Sequence, residues 1–265
     1  MLDFDTRRVA IFGSNGGFER FLELPAGIPP EDMVIPRLVA RPDGGLILAD
    51  DGGRRFFFYD RSLRHEATVP FTIETISLNG FVRHPSGDLF VVALGTANQK
   101  ILHRFGANGR YLSSHVDAPQ VSLAEQTLSS GQLAIDPDDG TLWLSRLTPY
   151  EVVHLTPEGV ELGRLARTPD GFVAAKPDRV GSLVRWSPNF SASSKIAIIR
   201  GLVVNSYVLQ SGVRRADVFR RDGTLVASGL DATSPLGFAK RVGNDVYVHH
   251  FNGPEPRVEV WREQP

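Results

Sequence analysis

A strand–turn–strand unit recurs along this chain, and a repeat of that kind restricts the fold before any single residue is weighed. Residues 37–60 read RLVARPDGGLILADDGGRRFFFYD: an apolar strand, a Pro-Asp-Gly turn, a second apolar strand, a short gap and an aromatic strand. Residues 80–105 and 132–155 repeat that order with the same turn chemistry at the same offset. A second kind of turn follows, Asn108-Gly109, Pro157-Glu158-Gly159 or Asp222-Gly223, and leads into one more strand. The unit therefore has four strands.

Looser copies occupy 195–219 and 236–261. Third strands begin near Arg8, Arg55, Lys100, Glu151, Arg215 and Arg257, at intervals of 47, 45, 51, 64 and 42 residues. Such spacing predicts propeller blades, which take about 40 to 50 residues each. Continuous apolar runs such as Leu89–Val92 predict strands covered on both faces. No window carries a sustained helical period, so the reading is all-β: one β-propeller domain over 1–265, built of four-stranded antiparallel blades.

The blade count turns on the two ends. Residues 8–13 and 18–24 look like the third and fourth strands of a blade whose first half is missing, and the last copy ends after its third strand. Ring closure would then join the termini. Six blades, one incomplete, is the preferred count, with five as the alternative. Residues 167–194, rich in Pro, Gly and Ser around Trp186, account for the 64-residue interval either as an insertion or as the place of two missing strands.

Composition removes several classes of function. Lys plus Arg (29) nearly cancels Asp plus Glu (30), so no overall field gathers nucleic acid or an anionic membrane. With no Cys there is no disulfide framework, thiolate nucleophile or Cys-ligated zinc. The longest apolar runs, such as 196–204, are cut by charges and fall short of the roughly 18 residues of a membrane span. The first eight residues carry two Asp and two Arg where an export leader needs an apolar stretch, so none is expected in this chain.

The Pro-Asp-Gly blades, together with 7–24 (RRVAIFGSNGGFERFLEL) and 217–230 (DVFRRDGTLVASGL), resemble NHL-type, six-bladed bacterial β-propellers over almost the whole length. Blade motifs of this kind support a fold more than an activity. The resemblance implies a binding scaffold for a protein partner or a small ligand, placed outside the cytoplasm.

The connections sort into two faces. Short turns of Asp, Asn, Pro and Gly, at 14–16, 42–44, 85–87 and 137–140, bond their own backbone and read as architecture. The longer connections lie on the other face, and a site belongs there. Its polar candidates are Arg37, Asp50, Asp51, Asn79, Gln132, Arg146, His249 and His250. Asp50-Asp51-Gly52-Gly53 reads most simply as a turn, and Arg146 as an arginine satisfied by carbonyls. His249 and His250 are neighbours on a strand, so their side chains leave opposite faces and cannot share one ion from there. The ligand-binding set expected from sequence is Arg37, Asp51, Asn79, Gln132, Arg146 and His250, with no catalytic residue and no cofactor.

An alternative starts from Asn79-Gly80, which is similar to a blade start of gluconolactonase-like calcium propellers. That likeness implies Asn79 as one ligand of a calcium ion that polarises a lactone carbonyl and activates water. Only this position matches. Other patterns fail: His65-Glu66 lacks a second His, no G-x-S-x-G occurs, and Asp136, Asp138 and Asp139 miss the calcium-loop spacing and read as a turn. The preferred function is a non-catalytic scaffold, such as an accessory subunit of a larger assembly, and the alternative is a calcium-dependent lactonase-like hydrolase.

Overall fold

The computed structural model describes residues 2–3, 8–13, 17–34, 36–119, 126, 130–180, 183–186, 190–232, 239–242, 245–250 and 257–262. For 2–3, 77, 177–180, 183–186, 239–242, 245–250 and 257–262 it gives the backbone alone. The chain forms two compact units, Met1–Ala118 and Pro119–Pro265.

In the first unit three antiparallel sheets follow one another. They are β1 (Leu2–Asp3), β2 (Arg8–Phe12) and β3 (Phe18–Phe21); β4 (Arg37–Ala40), β5 (Leu46–Asp50), β6 (Arg55–Tyr59) and β7 (His65–Pro70); and β8 (Thr75–Arg83), β9 (Leu89–Gly95), β10 (Lys100–Phe105) and β11 (Tyr111–Asp117). Within each sheet sequence neighbours are spatial neighbours. The N-terminal piece holds more than two strands, because β1 pairs with β2 through Leu2↔Val9.

The apolar runs obey the two-sided burial that their composition predicts. From β5 and β6, Ile47, Ala49, Phe56 and Phe58 pack with Leu89, Val91 and Phe105 of the next sheet. Leu46, Leu48, Phe57 and Tyr59 pack the other way, with Val9, Leu22 and Met33. A strand alternates its side chains, so each of these runs fills two cores at once. Phe56 centres one of them, with ring centroids 4.4 Å from Phe71, 5.1 Å from Phe105 and 5.6 Å from Phe81. Burying each such ring contributes about 1.5–3 kcal/mol before the entropy of ordering is counted.

The second unit repeats the design with β12 (Gly131–Ile135), β13 (Leu142–Arg146), β14 (Glu151–Leu155) and β15 (Glu161–Ala166), and with β18 (Ala192–Ile199), β19 (Leu202–Val208), β20 (Arg214–Arg220) and β21 (Leu225–Asp231). A three-stranded sheet follows: β22 (Ala239–Val242), β23 (Asp245–His250) and β24 (Arg257–Arg262). Between the first two lies a two-stranded hairpin, β16 (Pro177–Val180) and β17 (Leu183–Trp186), which pairs only with itself among the described residues. Strand β12 lies directly against β18, so the hairpin adds no blade between them. Trp143, Val152, Ile196, Val203 and Phe219 form the core of that pair.

The turns do what their residues dictate. Asp43 Oδ1 accepts the N–H of Gly45 at 3.0 Å, and Asn108 Oδ1 that of Arg110 at 3.1 Å. Gly44 takes φ +86°, a left-handed conformation that glycine adopts without a Cβ clash. The one helix with described bounds is a single 3-10 turn, Pro30–Asp32.

Candidate functional site

Three of the six expected ligand residues come together in the first unit, where the β5–β6 turn meets β4 and the start of β8. Strand β8 bulges there: its register against β9 shifts between Ile76, which faces Leu94, and Gly80, which faces Val92. Backbone groups of 77–79 leave the ladder and need other partners. The carboxylate of Asp51 accepts the N–H of Leu78 at 3.1 Å. The Nε–H of Arg37 donates to the carbonyl of Asn79 at 3.3 Å. Asp51 and Arg37, both from the preceding sheet, thus hold the bulge that carries Asn79.

Asp50, fully buried, braces the other side. One carboxylate oxygen accepts the N–H of Val34 at 3.2 Å; the second accepts that of Gly53 at 3.2 Å and the Nε–H of Arg55 at 3.1 Å. Arg55 was not among the sequence candidates, although its place five residues after an Asp across a tight turn is a usable signal. The turn that the residue types suggest runs from Asp51, with Asp50 as the last residue of β5, and the two side chains tie three connections together.

Burial acts against both charges at this rim. It draws the Arg37 guanidinium below its ordinary value, an effect that Asp51 partly reverses. It pushes the Asp51 carboxyl up, with the N–H of Leu78 pulling down, Asp50 pushing up, and Arg37 and Arg54 pulling down. Perturbed pKa values cluster at functional sites, and structural ion-pair networks produce them as well. A guanidinium already faces the carbonyl of Asn79, its charge opposes a cation, and no group of three His, Asp or Glu side chains suited to a metal occurs among the described residues.

Gln132 and Arg146 lie in the second unit on adjacent rungs of β12 and β13, where Gly131 faces Arg146 and Gln132 faces Ser145. Arg146 is buried and its Nε–H donates to the carboxylate of Glu151, whose other oxygen takes Arg164 at 2.7 Å. A carboxylate thus partners Arg146. The side chains of His249 and His250 lie outside the described residues.

Sequence reasoning missed a buried polar network in the second unit. Asp217, fully buried on β20, accepts the hydroxyl of Tyr150 at 2.8 Å, that of Tyr207 at 3.4 Å and the N–H of Gly229 at 2.9 Å. Arg167 Nη1 stands 3.4 Å away, an ion pair outside hydrogen-bond geometry. Ser145 Oγ donates to Asn205 Oδ1 at 2.7 Å nearby. Burial raises the Tyr207 phenol to about 12 and that of Tyr150 further, Asp217 adding to both. Nothing local announces these contacts.

No protein-family model matches this sequence, nor does any curated protein. Solved structures do match. A member of the DUF4221 family from Bacteroides vulgatus superposes with a TM-score of 0.61 at 9% identity, covering 97% of this chain and 86% of that one. Virginiamycin B lyase from Staphylococcus aureus gives 0.57 at 10% identity over 98% and 78%, and a protein of unknown function from Bacteroides caccae gives 0.59 at 11% over 96% and 86%. The chain is a β-propeller. At this identity the likeness carries the fold and nothing of the chemistry. In the propeller, sheets β1–β3, β4–β7 and β8–β11 are the blades of the first unit, and β12–β15, β18–β21 and β22–β24 those of the second. Among the described residues no helix is long and apolar enough to cross a membrane.

Proposed function

We propose that this propeller is a binding scaffold that recognises a protein partner or a small ligand through the rim of the first unit that carries Arg37, Asp51 and Asn79; Gln132, Arg146 and His250 are the proposed contacts of the second unit. One observation supports the reading: the charged side chains of that rim are bonded to the backbone of neighbouring loops, Asp50 to Val34 and Gly53, Asp51 to Leu78, and Arg37 to Asn79. Loops braced in this way hold a fixed surface before a ligand arrives, which lowers the ordering cost of binding. A general acid or base must instead stand free beside a reacting atom. The NHL-type resemblance extends the proposal to a location outside the cytoplasm and to a role as an accessory subunit.

Calcium discriminates this reading from the lactonase-like one, which rests on Asn79. Thermal unfolding is measured with calcium and with chelator, for the parent and for Asn79→Ala. The scaffold reading expects no shift; a rise in melting temperature with calcium that Asn79→Ala removes replaces it with the hydrolase. A partner purified with the chain from its source cell is then titrated against the parent and Arg37→Ala. Weakening by about tenfold or more is expected, and equal affinity removes the rim from the interface.

A further inference from the structure

The face of short turns carries a cleft that none of the expected ligand residues lines. It has a volume of about 470 Å3 and opens between sheets β4–β7 and β8–β11. Ile47, Phe58 and Val69 form its apolar floor, and Arg41, Arg83 and Ala107 stand at its edge.

The repeat supplies its own comparison. Arg41 and Asp136 open equivalent turns, their N–H groups donating to Gly45 and Thr141 across them. Ala107 and Arg221 are equivalent in the last turn of the following blade, each just after the residue, Gly106 or Arg220, that closes it. Val69 and Leu165 hold the same rung, opposite Phe56 and Val152. In the second unit Arg221 crosses between blades to Asp136 with bonds of 2.5 and 2.7 Å and closes the wedge. In the first unit position 107 has only a methyl group to send across. Arg41 turns back into its own blade, to Tyr59 O at 3.1 Å, Asp43 at 2.6 Å and Glu66. The wedge stays open.

Arg41 is neutralised by its two carboxylates, whereas Arg83, the last residue of β8, has no ion pair or hydrogen bond among the described residues. We propose that the cleft binds a small amphiphilic carboxylate, its apolar body on Phe58, Ile47 and Val69 and its carboxylate on the Arg83 guanidinium. A guanidinium fork matches a carboxylate in two parallel bonds, and the volume lies within the ~300–1,000 Å3 range of small-molecule sites. The proposal is independent of the rim on the opposite face.

The test titrates 4-phenylbutyrate and its uncharged amide against the parent protein, Arg83→Gln and Ala107→Leu, by calorimetry or ligand-observed NMR. The acid is expected to bind the parent, and the amide about tenfold or more weakly. Arg83→Gln should weaken the acid by a similar factor. Ala107→Leu, which places a side chain where Arg221 lies in the other pair, should abolish binding without lowering the melting temperature. Equal binding of acid and amide, no binding of the acid at millimolar concentration, or full affinity in either variant overturns the site. Should Arg83→Gln fold poorly, Ala107→Leu decides alone.

Discussion

The carboxylate of Asp51 accepts the backbone N–H of Leu78 at 3.1 Å, a bond from the turn of one blade to the innermost strand of the next. It satisfies a donor that the β8 bulge removes from the ladder, and so ties the shape of the candidate rim to one side chain. Asp51→Ala orphans that donor and is expected to lower stability by about 1–3 kcal/mol, whereas Asp51→Asn keeps an acceptor and should stay within about 1 kcal/mol of the parent. Burial raises the folded-state pKa of Asp51, so the part of stability linked to its protonation is full below the unfolded pKa and is lost as pH rises through the folded one, while an oxygen accepts the Leu78 N–H in either state. Urea unfolding of both variants checks the ranking, and equal losses refute the bond's role.

His103 should make the first unit acid-sensitive. The ring is fully buried, Nε2 lies 3.0 Å from the carbonyl of Ala93 and Nδ1 2.7 Å from Ser114 Oγ, and burial draws its pKa down to about 4. Unfolded, the same ring titrates near 6.5. Its stabilising contribution is therefore present above about pH 6.5 and lost as pH falls toward about 4, on the order of 3 kcal/mol over the window. His103→Gln should flatten the dependence of the urea midpoint between pH 7 and pH 5. An unchanged slope would show that the ring titrates alike in the folded and unfolded states.

The Tyr150–Asp217 bond, at 2.8 Å between fully desolvated groups, should be worth more than the Tyr207–Asp217 contact at 3.4 Å. Tyr150→Phe is expected to cost about 1.5–3 kcal/mol, the range for a bond to a buried charge, and Tyr207→Phe less than about 1 kcal/mol. Denaturation midpoints of the two variants give the order directly, and the reverse order contradicts it.

Ion pairs of similar appearance should differ with burial. Asp136 is fully buried and Arg221 caps it, so Arg221→Ala leaves a carboxylate short of its partner at a cost of about 1–3 kcal/mol. Arg164 and Glu161 are both more than 40% exposed, and Glu161→Gln should change stability by less than about 0.5 kcal/mol. Thermal unfolding of the two variants at moderate salt separates them; equal effects would mean that burial does not set the value of either pair.

Much of this architecture is written locally. The aromatic run Phe56–Tyr59, the Pro-Asp-Gly turns and the third-strand starts at Arg55, Lys100 and Glu151 can all be read from residue order, and the strands begin at those residues. Turn geometry and side-chain alternation are energies of a few consecutive residues, so the sequence by itself determined the blades and the two sets of loops. What only the tertiary structure decided is which distant groups meet. Arg37, Asp51 and Asn79 were legible as loop polars, but that two of them hold the bulge bearing the third depends on the packing of one blade on the next. The same reason governs the two wedges. Asp136 finds Arg221 across 85 residues, while Arg41, in an equivalent turn, faces Ala107 and folds back. Turn chemistry is nearly the same in both places, and the side chain offered by the neighbouring blade makes one a clasp and the other a cleft.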